Sequence, residues 1–118
     1  MKGSKLNSMV VNYFSGVDNE DLPLLLNSLS EDCIFSIETH NIRLIGHEAI
    51  SKMFDRLWSN HNWVRHDQFS FIEGKESDAI AVRFRVTNQL HDGQLVYKSN
   101  CNFFTCEGDK FKEVRVYM

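Results

Sequence analysis

A strand bound for a protein interior rarely carries asparagines, yet the stretch from Gln94 to Cys106 carries two in phase. Val96, Lys98, Asn100, Asn102, Phe104 and Cys106 share one face at period two, and Leu95, Tyr97, Ser99, Cys101 and Phe103 share the other. Asn100 and Asn102 lead into Phe104 and Cys106, so this face passes from a polar pocket into a packed core. A buried amide needs hydrogen-bond partners, which a ligand, a water or another side chain must supply. Tyr13 raises the same demand from the first helical stretch, since a phenol on an apolar stripe must find a partner for its hydroxyl. His40, His47, His61 and His91 lack the i, i+4 helical spacing of a metalloenzyme, and no nucleophile elbow, phosphate loop or dinucleotide fingerprint occurs. No metal is therefore expected. Cys33, Cys101 and Cys106 are odd in number and lack paired short spacings, which fits three reduced thiols packed as small hydrophobes.

These groups sit in a chain of 118 residues, the size of one domain (1–118) with a core of its own. Hydrophobic residues make up 42% and charged residues 25%, as in ordinary globular proteins, with nine phenylalanines. A net charge of −3 and dispersed arginines leave no basic stripe for nucleic acid. Asn7, Ser8 and Asn12 interrupt any signal-like apolar run near the start, and no run approaches the ~20 apolar residues that span a bilayer. The expectation is a cytoplasmic protein that binds neither nucleic acid nor membrane.

Three helices should hold the first half. Leu6, Met9, Val10, Tyr13, Phe14 and Val17 recur at three and four from Ser4 to Val17, predicting an amphipathic helix that ends near Gly16. A second helix begins at Asp21, which can cap the free amides ahead of Pro23, and buries Leu22, Leu25, Leu26 and Leu29. The corner Val17-Asp18-Asn19-Glu20 sets the two antiparallel. Two strands follow, Cys33–Glu38 and Asn41–Ile45, then a third helix over His47–Asn60 with Ala49, Ile50, Met53, Phe54, Leu57 and Trp58 inward. The remainder predicts a meander of four strands over Val64–Glu73, Asp78–Gln89, Gln94–Cys106 and Lys110–Tyr117. Ile80, Val82, Phe84 and Val86 give one face of its second strand to the helices. The sum is an α+β sandwich, three helices on one face of a curved, antiparallel or mixed sheet. The outer face, with Tyr97, Cys101 and Phe103, is apolar enough to predict a homodimer.

The order of elements and several phrases resemble the nuclear transport factor 2-like superfamily, in particular its SnoaL-like and ketosteroid isomerase-like members. The phrases are Tyr13-Phe14 followed by Asp18-Asn19-Glu20-Asp21-Leu22, then Ser30-Glu31-Asp32-Cys33-Ile34-Phe35, Ile45-Gly46-His47-Glu48-Ala49-Ile50, and Phe103-Phe104 closing into Glu107-Gly108-Asp109-Lys110. The resemblance covers essentially the whole chain. It implies a cone with a deep, largely apolar cavity between helices and sheet, on a fold that hosts isomerases, dehydratases, cyclases and non-catalytic binders.

By that resemblance Tyr13 and Asn102 match positions that hold an enolate oxygen in ketosteroid isomerase, where a protonated aspartate stands in place of the asparagine; that enzyme is the standard example of such a neutral acid. An amide donates without any such shift. The isomerase's base falls near Ile37, which cannot abstract a proton, and Glu38 would face inward only through a bulge. The dehydratase branch, similar to scytalone dehydratase, fits better: Tyr13, Asp18 and His66 match its tyrosine, aspartate and histidine, and an Asp–His pair is a workable proton shuttle. Asn100 with Asn102 resembles its substrate-holding polar pair, with Phe104 and Trp63 as apolar neighbours of the ligand. The implied protein is a cofactor-free lyase or isomerase with a small hydrophobic or carbonyl-bearing ligand. A non-catalytic binder of such a ligand, or a protein-interaction module, fits the same residues.

Overall fold

The computed structural model describes residues 2–75 and 78–118. Helix α1 (Lys2–Asp18) buries Leu6, Val10, Tyr13, Phe14 and Val17 along one stripe. It ends at Asp18, two residues past the glycine near which its spacing placed the end. A Cβ on Gly16 would lie 2.9 Å from the backbone nitrogen of Leu25, so the glycine lets the following helix α2 (Leu22–Asn27) press against α1. The helix stops instead through a Schellman-type closure. Asp21 N–H donates to Gly16 O at 2.9 Å and Glu20 N–H to Val17 O at 3.3 Å, with Glu20 left-handed at φ 52°. The Asp21 side chain accepts from Leu24 N–H, capping α2 as its position before Pro23 predicted.

Leu29, expected on the α2 stripe, is instead the first residue of β1 (Leu29–Ile37), which starts four residues before the predicted Cys33. Its side chain is still fully buried. A short 3-10 turn (Glu38–His40) ending at left-handed Asn41 leads to β2 (Ile42–Ile45), and α3 (His47–Ser59) follows with Ile50 and Phe54 buried. The four meander strands are β3 (Trp63–Glu73), β4 (Ala79–Gln89), β5 (Leu95–Glu107) and β6 (Lys110–Tyr117). They join β1 and β2 in one sheet of order β2-β1-β6-β5-β4-β3. Every pair is antiparallel except β1 with β6, so the sheet is mixed. Ile80, Val82, Phe84 and Val86 face the helices, as their alternation required.

Strand β3 is not regular along its length. Asp67 pairs with Arg85 and Ser70 with Arg83, so three steps on β3 meet two on β4 and one residue is extra. The bulge centres on Gln68, at φ 56°. It inverts side-chain parity: Val64 and His66 point inward before it, Phe69 and Phe71 after it. Without it His66 and Phe69 would lie on opposite faces.

All three cysteines are free, and Cys33 lies wholly buried. Burial, with Asp32 and Glu113 nearby, pushes its thiol up to about 12, leaving it a hydrophobe rather than a nucleophile. None of the described helices is long and apolar enough to cross a membrane.

Gly16→Ala should show which role that glycine plays. The change favours the helix by about 1 kcal/mol, but its methyl group meets the α2 backbone and overpacking costs about 1–3 kcal/mol. Net destabilisation in denaturant titration is the expected result; a more stable variant would contradict the close approach.

Candidate active site

The last helical residue of α1 lies against β3. Asp18 Oδ2 accepts the His66 backbone N–H at 2.8 Å and Asp18 Oδ1 accepts His66 Nδ1–H at 2.6 Å. A carboxylate at a helix C-terminus faces the negative end of the helix dipole. The two donors from one residue offset that, and both side chains are mostly buried, at 23% and 11% exposure. Because an ionised carboxylate only accepts, the geometry assigns the proton to Nδ1 and leaves Nε2 for other chemistry. The ring is also held in plane. It stacks on Phe14 with centroids 4.7 Å apart and lies 5.5 Å from Phe84. Nearby, Trp58 Nε1–H donates to Val17 O at 2.9 Å, so α3 secures the same end of α1.

His66 lines a cavity of about 170 Å³ between the helices and the concave sheet. Tyr13 lines it too, 2% exposed, edge-on to Phe14 at 4.9 Å and to Phe104 at 5.3 Å. Burial, and secondarily Cys33 and Asp18, holds the Tyr13 hydroxyl well above the usual phenol range, so it stays a neutral donor. Phe14, Phe35, Phe54, Phe84 and Val86 are among the apolar side chains of its wall.

Against this apolar wall stand three asparagines. Asn88, Asn100 and Asn102 all line the cavity, are no more than 8% exposed, and hold side-chain oxygens that are buried and unpartnered. Asn88 was not singled out from the sequence, although it continues the inward phase of Val82, Phe84 and Val86 on β4. The signal was there, an amide where the register demands an apolar side chain.

The structure thus brings Tyr13, His66, Asn100 and Asn102 to one cavity, with Asp18 directly behind His66. It does not bring Phe104 or Trp63. Phe104 is 1% exposed behind Tyr13, packed 4.7 Å from the Phe111 ring, because the inward face has reached solid core there. Trp63 sits at the outer start of β3 with the Arg65 guanidinium 5.6 Å from its ring centroid. Ile37 lines the cavity while Glu38 lies exposed in the 3-10 turn, so the ketosteroid isomerase base position holds no carboxylate. Among the described residues no group of three His, Cys, Asp or Glu side chains could hold a metal ion.

No protein-family model matches the chain, and no curated protein matches it. Solved structures do. A candidate polyketide cyclase from Xanthomonas campestris pv. campestris superposes with a TM-score of 0.91 at 16% identity, covering 100% of this chain and 93% of its own. SalBIII, an epoxide hydrolase/cyclase-like enzyme of pyran ring formation in the polyether salinomycin, gives 0.86 at 17% identity, covering 99% and 93%. A nuclear transport factor 2-like protein of unknown function from Burkholderia pseudomallei gives 0.81 at 14% identity, covering 95% and 88%. Such similarity in shape over nearly the full length, at such low identity, carries the fold and leaves the chemistry to the site itself. The chain has the nuclear transport factor 2-like fold, the α+β cone that its sequence phrases resemble.

Proposed function

We propose that this protein is a cofactor-independent lyase or isomerase that moves protons on a small carbonyl-bearing molecule. The observation that carries the reading is the Asp18–His66 pair, bonded at 2.6 Å with the imidazole on the cavity wall. In the mechanism His66 Nε2 takes a proton from the carbon alpha to a carbonyl, and Asp18 stabilises the resulting imidazolium through Nδ1–H. The enolate oxygen receives hydrogen bonds from the Tyr13 hydroxyl and an Asn102 amide, donors that need no change of protonation. His66 then returns the proton. Delivered to a β-hydroxyl it releases water and leaves an enone; delivered to another carbon it isomerises the substrate. Similarity in fold to a candidate polyketide cyclase and to SalBIII supports small-molecule chemistry of this general kind. Passive binding of the same ligand class is the second reading, favoured by the unpartnered amides and the apolar wall.

We also assign the outer sheet face to a homodimer contact. Tyr97 and Phe103 are 60% and 48% exposed, and Phe103 packs edge-on with Tyr117 at 5.6 Å. Sedimentation at micromolar concentration should give twice the chain mass, and a monomer throughout would remove this assignment.

Catalysis is tested by solvent deuterium incorporation into β-tetralone, followed by NMR. Wild type should accelerate exchange, and His66→Gln should reduce that acceleration by about 10²–10⁴-fold. Asp18→Asn should lower it as well and cost about 1–3 kcal/mol of stability, because its NH₂ opposes a donor. Exchange at the uncatalysed rate in wild type would leave passive binding in front.

Tyr13 predicts a pH effect. Its folded-state value lies above the unfolded value of ~10, so the unfolded chain loses this proton first. The associated stability is complete below that pH and falls as pH rises beyond it. Tyr13→Phe should lack this part of the alkaline loss in melts taken across the range; superimposable profiles would show that the phenol is not held neutral.

A further inference from the structure

The polar groups of the cavity are arranged along a line. Lys98, Asn100 and Asn102 are successive inward positions of β5, with alternate residues of a strand roughly 7 Å apart. Exposure rises along that line, from 2% at Asn102 and 8% at Asn100 to a Lys98 side chain that is open to solvent yet still lines the cavity. β5 therefore runs a polar spine from floor to mouth. Across the sheet, Lys98 faces Val86 on β4, and Val86 faces His66 on β3, so one strand, β4, separates the spine from the imidazole.

The charge around the spine is one-sided. Among the described residues no carboxylate side chain lines the cavity, and the titratable side chains that do are Tyr13, His66 and Lys98. Both oxygens of Asp18, the carboxylate nearest in the site, are taken by His66. Among the described residues no carboxylate stands within ion-pair distance of Lys98, whereas Lys5, Lys52, Lys112 and Arg115 each have one. The two buried amides on the spine each offer a donor and an acceptor, which suits oxygen substituents spaced along one edge of a ligand.

We propose that the ligand is an amphipathic organic acid, with its apolar face against Phe14, its oxygen-bearing edge along Asn102 and Asn100, and its carboxylate at Lys98. This names the ligand class of the cavity described above and rests on that reading. Lys98 acts by positioning. Its charge at the mouth orients the acid so that the far end of the molecule reaches His66 and Tyr13, and its attraction is screened by salt because it is exposed.

The test uses β-naphthoate and its neutral isostere β-naphthamide, titrated by calorimetry at low and at high salt. Wild type should bind the carboxylate about fivefold more tightly at low salt, as an exposed charge pair allows, with the preference fading at high salt. Lys98→Met should abolish the preference without changing the affinity for the amide. Equal affinity of wild type for the two ligands, or a preference that survives Lys98→Met, overturns the inference and leaves the cavity reading standing. Binding of neither ligand overturns both.

Discussion

The contact between Asp18 and His66 is the constraint on which the rest of the site depends. β3 is an edge strand, paired on one side only, and the end of α1 grips it through a backbone N–H at 2.8 Å and an imidazole at 2.6 Å. The grip has a local cause. α1 runs through Gly16 to Asp18 with α2 lying close against the glycine, and the Schellman closure at Glu20 then turns the chain away. A helix ending two residues earlier would present Gly16 where a carboxylate is needed.

The bulge at Gln68 completes that arrangement from the other side. A left-handed non-glycine residue costs free energy, which tertiary contacts must offset. Here the offset is aromatic. Phe14 stacks on His66 at 4.7 Å and on Phe69 at 5.2 Å, so one ring packs against side chains from both sides of the bulge. An unbroken period-two strand could present only one of those two to the interior.

Within this apolar shell the asparagines run against stability. A buried amide without a partner costs about 1–3 kcal/mol, and Asn88, Asn100 and Asn102 all face one small cavity. A core built for stability alone would hold Leu or Val at those positions. Their placement is what a site for an oxygen-bearing ligand requires, and Tyr13, kept neutral by burial, adds a donor to the same space.

Much of this was legible in one sequence, because period and phase are local properties. The three- and four-residue spacing from Leu6 to Val17, the alternation from Ile80 to Val86 and the amides at Asn100 and Asn102 predicted the helices, the inward faces and a polar pocket. What the sequence left undecided depends on packing between distant segments. Gly16 reads as a helix stop until α2 is seen against it, and Leu29 reads as helical until β6 pairs with β1 in parallel. Asn88 stays unremarked until β4 is known to line a cavity. Phe104 shares a face with Asn102, but only the third dimension shows that the cavity ends between them. Trp63 sits outside because, one step before the cavity-lining Val64 on β3, it points to the opposite face. Residue types and spacing determined which groups could do chemistry; tertiary structure decided which of them meet, since distance in space is set by packing and not by position along the chain.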